Sequence, residues 1–123
     1  MSLSPDKLAE MAEHQIKLQR KHRKSLDSRM VRARQNIHEL VREFLAADPT
    51  ITRIVLFGSL ARDDVSSSNF DIDLAVSCSG EHFLRLVSIA LNNAFTVDVV
   101  DLDRADERIK SAIVRDGITL YEK

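Results

Sequence analysis

The chain has 123 residues and a mass of 13.9 kDa, enough for one domain with a real core, burying roughly 65% of its unfolded surface. Apolar residues at 44% and charged residues at 30%, with only 3 Gly and 2 Pro, exclude collagen, low complexity and wholesale disorder. The net charge of −1 hides a split: residues 1–47 hold 10 Lys/Arg and 6 Asp/Glu (+4), and residues 48–123 hold 8 and 13 (−5). No run of about 18 apolar residues could cross a membrane, and the N-terminus lacks the apolar stretch of a secretory signal. The lone Cys78 cannot form an internal disulfide, which fits a cytoplasmic protein.

The basic territory reads as helical. Ser4-Pro5 has the form of an N-cap and first helical position, opening a helix expected over 6–24. Lys17, Arg20, Lys21, Arg23 and Lys24 place five cations in eight residues. From Leu26 the apolar residues continue through Met30, Ala33, Ile37 and Leu40 to Phe44, a heptad-like stripe. It is short for a coiled coil, so it is expected to pack on the chain's own core, with dimerisation as the other use. Asp48-Pro49 stops it.

After Pro49 the period changes. Residues 51–57 form a β-branched run ended by Gly58-Ser59, and 72–77 and 96–102 read as further strands. Helices are expected over 60–64, over 81–92, and from a cap at Asp103 to about Arg115. Asp116-Gly117 ends the last of these before a short strand at 118–121. The order α-α-β-α-β-α-β-α-β predicts an α/β (α+β) fold: a small mixed sheet flanked by helices. The expected organisation is a helical extension over 1–48 and a core over 49–123.

Three elements carry chemistry. A strand broken at Gly58-Ser59 before a helix start offers backbone N–H groups to an anion, with Ser59 as a cap; alone, such a turn is more often structural. Neither a P-loop nor a GxGxxG motif is present. Asp71 and Asp73 alternate on a strand, so both carboxylates share one face roughly 6–7 Å apart, as metal ligands or as a solvated edge. Asp98 lies in an otherwise apolar strand. If that strand neighbours the one carrying Asp73, three carboxylates meet, a set suited to two divalent ions and to phosphoryl or nucleotidyl transfer. Asp98 could also act as general base; Asp101 reads as a strand end or cap.

The strings VLFGSLAR at 55–62, DIDLAV at 71–76 and VDVV at 97–100 together resemble the DNA-polymerase-β-like nucleotidyltransferase superfamily. The likeness is greatest to the small minimal nucleotidyltransferase (MNT) type of HEPN/MNT toxin–antitoxin pairs, and covers about 51–123. It implies a polymerase-β palm-like fold. It implies Gly58 and Ser59 against the β- and γ-phosphates of a nucleoside triphosphate. Asp71, Asp73 and Asp98 would be catalytic and would hold two Mg²⁺. Arg62 would help with triphosphate charge or serve structurally. The reaction implied is transfer of a nucleoside monophosphate, AMP from ATP being favoured, to an acceptor hydroxyl. HEPN-type partners make a toxin protein the favoured acceptor. Relatives commonly carry Gly after the arginine, whereas this chain has Asp63-Asp64, and the loop 65–69 is serine-rich. The alternative is a catalytically weakened binding subunit acting through protein contacts.

His14, His22, His38 and His82 show no metal-ligand spacing with one another or with Cys78, which reads as a small, at least half-buried side chain. The basic run suits a solvated face, an acidic partner, self-association of the N-terminal helices, or, less well, nucleic-acid phosphates, since no aromatic interleaves with it.

Overall fold

The computed structural model describes residues 4–67 and 69–123. One helix, α1 (Pro5–Ala47), precedes the strands β1 (Arg53–Phe57) and β2 (Ile72–Ser77). Then follow α2 (Phe83–Leu91), β3 (Val97–Asp101), α3 (Glu107–Asp116) and β4 (Ile118–Glu122). The sheet order is β3-β2-β1-β4, with β2 and β3 parallel and the other pairs antiparallel, so the mixed sheet anticipated from the pattern is present.

The expected pair of N-terminal helices is a single helix of 43 residues, about 65 Å long at 1.5 Å per residue. Nothing between residues 24 and 26 breaks it: Lys24-Ser25-Leu26 contains neither glycine nor proline, and the i→i+4 ladder runs through. Ser4 caps its start, its side chain accepting from the Lys7 N–H at 3.3 Å, with Pro5 in the first turn. Asp48 ends it. Its backbone N–H donates to Phe44 O at 2.9 Å, and its buried carboxylate accepts from the Thr50 N–H at 2.9 Å and the Thr50 hydroxyl at 2.6 Å.

Only the second half of α1 meets the core. Ala33, Ile37, Leu40 and Phe44 are buried against Ile54 and Leu56 of β1, Ile72, Leu74 and Val76 of β2, and Leu86 and Ala90 of α2. On the opposite sheet face, Val55 and Ala75 pack against Ile113 of α3. The period-2 alternation of β2 therefore sends Ile72, Leu74 and Val76 towards α1, and Asp73 and Ala75 towards the α3 side.

Two further expectations are corrected. Residues 60–64 form turns, not a helix: Arg62 N–H donates to Gly58 O at 3.1 Å and Asp64 N–H to Ser59 O at 3.0 Å, and the left-handed Asp63 (φ +56°) stops propagation. Asp103 does not cap the following helix. It sits in a 3-10 turn at Leu102–Arg104 and accepts from the Ser77 hydroxyl at 2.9 Å, while Asp106 caps α3 by accepting from the Ile109 N–H at 2.9 Å. Gly117 ends α3 as anticipated, but with φ −65°, so left-handed freedom is not its reason. A Cβ there would overlap the Ile113 carbonyl oxygen and approach Val55 Cγ1 to 2.8 Å, and these tight approaches are what exclude a side chain.

Candidate active site

The parallel pairing of β2 with β3 places Asp73 directly opposite Asp98, and the antiparallel pairing of β2 with β1 places Asp73 opposite Phe57, the residue before Gly58. One residue, Asp73, thus joins the glycine turn to both acidic strands. Gly58 has φ +81°, and a Cβ there would overlap the Asp73 carboxylate, with its Cγ at 3.0 Å. Glycine is required twice, by backbone conformation and by the close approach of Asp73.

Asp73 is half-buried, whereas Asp71, just before β2, and Asp98 are exposed. Burial raises the Asp73 carboxyl from the ordinary 3.8 to about 6; Asp98, Asp71 and a hydrogen bond shared with Asp98 push the same way, and Arg62 opposes them. Among the described residues, then, the charges acting on Asp73 are two neighbouring carboxylates and one guanidinium. Such a site resists ionising without a cation. Among the described residues, no three His, Cys, Asp or Glu side chains converge as a ready-made metal cage. The donors nevertheless fit a hard divalent ion: three carboxylates, uncompensated enough that one holds its proton well above the usual range.

Arg62 approaches Asp116 at the end of α3, 4.0 Å from its Oδ2, and Arg115 holds the same carboxylate at 2.9 Å. The Asp116 tether was not anticipated, because nothing in the spacing of 62 and 116 indicates contact. Asp63 occupies the position at which the resemblance leads one to expect glycine, and its left-handed backbone is the conformation glycine adopts most cheaply. Its carboxylate turns to Arg34 of α1, 3.4 Å away. The departure from glycine at this position could have signalled the positive φ; the Arg34 partner, 29 residues away, could not be read in advance.

The remaining candidates behave quietly. Burial pushes the Cys78 thiol up, so it stays protonated and poorly nucleophilic. Asp101 ends β3 and caps the 3-10 turn, accepting from the Asp103 N–H at 3.1 Å. The serine-rich loop is described except for Ser68, which lies outside the described residues. No helix among the described residues is long and apolar enough to cross a membrane.

Residues 39–123 match the family described as "Polymerase beta, Nucleotidyltransferase". No curated protein matches the chain significantly by sequence. Among solved structures, a toxin–antitoxin complex with AMP-PNP is 28% identical with a TM-score of 0.56, covering 72% of this chain and 73% of its counterpart. A tri-AMPylated Shewanella oneidensis HEPN toxin in complex with its MNT antitoxin is similar at 26% identity and a TM-score of 0.50, covering 72% and 69%. A Sulfolobus solfataricus protein at 24% identity shares the fold with a TM-score of 0.58, over 80% of this chain and 88% of that one.

Proposed function

Since this chain belongs to the polymerase β nucleotidyltransferase family, we propose that it transfers AMP from ATP to a hydroxyl of a HEPN-type partner protein, acting as an antitoxin. The observation that carries this reading is the register placing Asp73 opposite Asp98, with Gly58 pressed against the Asp73 carboxylate. The similar complexes, one with AMP-PNP and one with an AMPylated HEPN toxin, support the nucleotide and the acceptor.

In this reading, the backbone at Gly58 and Ser59 lies against the β- and γ-phosphates, where a side chain at 58 would block approach. Arg62, held by Asp116, contributes positive charge at the edge of the triphosphate. Asp71, Asp73 and Asp98 would hold Mg²⁺, two ions in this reading, which when bound would supply the positive charge that offsets the triphosphate and the departing pyrophosphate. Asp98, exposed on β3, receives the proton of the acceptor hydroxyl. The acceptor oxygen forms the bond to the α-phosphorus, the bond from that phosphorus to the bridging oxygen breaks, and pyrophosphate carries away the electron pair.

The alternative, a catalytically weakened binding subunit, has Asp63 and Asp64 facing the triphosphate; the pairing of Asp63 with Arg34 supports the catalytic reading over it. The test is co-purification with a HEPN-type partner followed by Mg²⁺ and α-labelled ATP. Label on the partner with wild type, absent with Asp71→Ala/Asp73→Ala, supports the reading; equal label with both overturns it.

A further inference from the structure

The first half of α1 has no core beneath it. Packing on the core begins with the half-buried Leu26, so about 30 Å of helix projects past it. Between this arm and the loop at 63–66 lies a groove of about 830 Å³, with Ile16, Arg20, Arg23, Leu26, Asp27 and Met30 on the helix side and Asp63 and Val65 on the loop side. Arg20, Arg23 and Asp27 also line an adjoining hollow of about 510 Å³ with Lys21 and Lys24. Two chemistries coincide here. Residues 17–24 hold five cations and no anion, while Leu8, Met11, Ile16 and Leu18 remain 47–54% exposed along the same arm.

We infer that this groove seats an acidic amphipathic helix of a partner protein. The reasoning is complementarity. Apolar side chains on both walls are covered only by an apolar stripe, and the flanking arginines and lysines require acidic neighbours to that stripe. A polynucleotide would satisfy the cations but leave the exposed Ile16 and Leu18 in water, and no aromatic on the arm offers a base a stacking face. The loop side of the groove is formed by Asp63, Val65 and Ser66, a few residues along the chain from the Gly58-Ser59 turn. The inference shares with the proposed function only a protein partner, and needs neither nucleotide nor metal.

The test uses the full chain and a synthetic three-heptad peptide with Leu at a and d and Glu at e and g, followed by fluorescence anisotropy without ATP or Mg²⁺. Comparison probes are the same peptide with Lys at e and g and a single-stranded oligoribonucleotide. The acidic peptide is expected to bind best. Arg20→Glu/Arg23→Glu and, separately, Ile16→Asp should each weaken it about tenfold or more, while Asp71→Ala/Asp73→Ala leaves it unchanged. All these positions on the arm are exposed, and circular dichroism checks that the variants stay helical. Tighter binding of the oligoribonucleotide, with a steep salt dependence that Ile16→Asp leaves intact, overturns the inference in favour of nucleic acid. Self-association abolished by the groove variants overturns it in favour of a second copy. Equal binding of all three probes, or of none, also overturns it. Peptide binding that survives while AMP transfer fails would refute the proposed function alone.

Discussion

Asp73 is a carboxylate whose ionisation the fold resists, so Asp73→Asn removes a penalty along with a ligand. Its carboxyl rises from 3.8 to about 6 on folding, first through burial and then through Asp98 and Asp71. A carboxyl with a folded value above its unfolded one costs stability once pH exceeds the unfolded value. The cost is complete above the folded value and fades as pH falls from 6 towards 3.8. A rise of this size corresponds to a ceiling of about 3 kcal/mol at pH 8. Asp73 is only half-buried, and solvent screening and the buried amide of the variant reduce the expected gain to about 1–2 kcal/mol. In metal-free buffer, urea unfolding at pH 8 should show Asp73→Asn more stable than wild type by that amount, with the gap closing by about pH 4. Mg²⁺ should reverse the order by stabilising wild type and not the variant. A variant less stable than wild type at pH 8 without metal, or a gap that does not change with pH, would refute the electrostatic account.

Four other outcomes follow from the same geometry. Gly58→Ala, which forces a methyl into the Asp73 carboxylate at a positive φ, should abolish nucleotide binding by calorimetry and cost about 2 kcal/mol or more in urea unfolding. Asp63→Ala should be less stable than Asp63→Gly by about 1 kcal/mol, because only glycine adopts φ +56° freely; equal urea midpoints would contradict this. Asp98→Ala should retain the fold by circular dichroism, Asp98 being exposed, while AMP transfer falls roughly a hundredfold or more in the labelling assay. Phe44→Ala, which empties a fully buried site where α1 meets the sheet, should cost about 3–5 kcal/mol by denaturant titration.

The strands and the acidic site were legible because their signals are local. Alternation along residues 72–76 separates Asp73 from Ile72, Leu74 and Val76, and the glycine turn follows directly on β1. What escaped was carried by contacts distant in sequence or by the continuity of a ladder. The joint expected near residue 25 rested on a weakening apolar stripe, but a helix needs a breaker to stop, and none is present. The stripe weakens because the core ends there, not because the helix does. Residues 60–64 contain no glycine or proline either, yet they fail to form a helix because Asp63 takes a left-handed backbone and pairs with Arg34. Arg62 and Asp116 meet only because α3 packs beneath β1, which spacing alone does not reveal.

The central claim is nucleotidyl transfer by the carboxylates around Asp73, and the direct measurement is label transfer from α-labelled ATP with Mg²⁺ to a co-purified HEPN-type partner. The account predicts one labelled product with release of pyrophosphate, lost in Asp73→Asn and in Asp98→Ala although both variants remain folded. Label that persists in both variants, or wild type that binds Mg·ATP and the partner but transfers nothing, would contradict it.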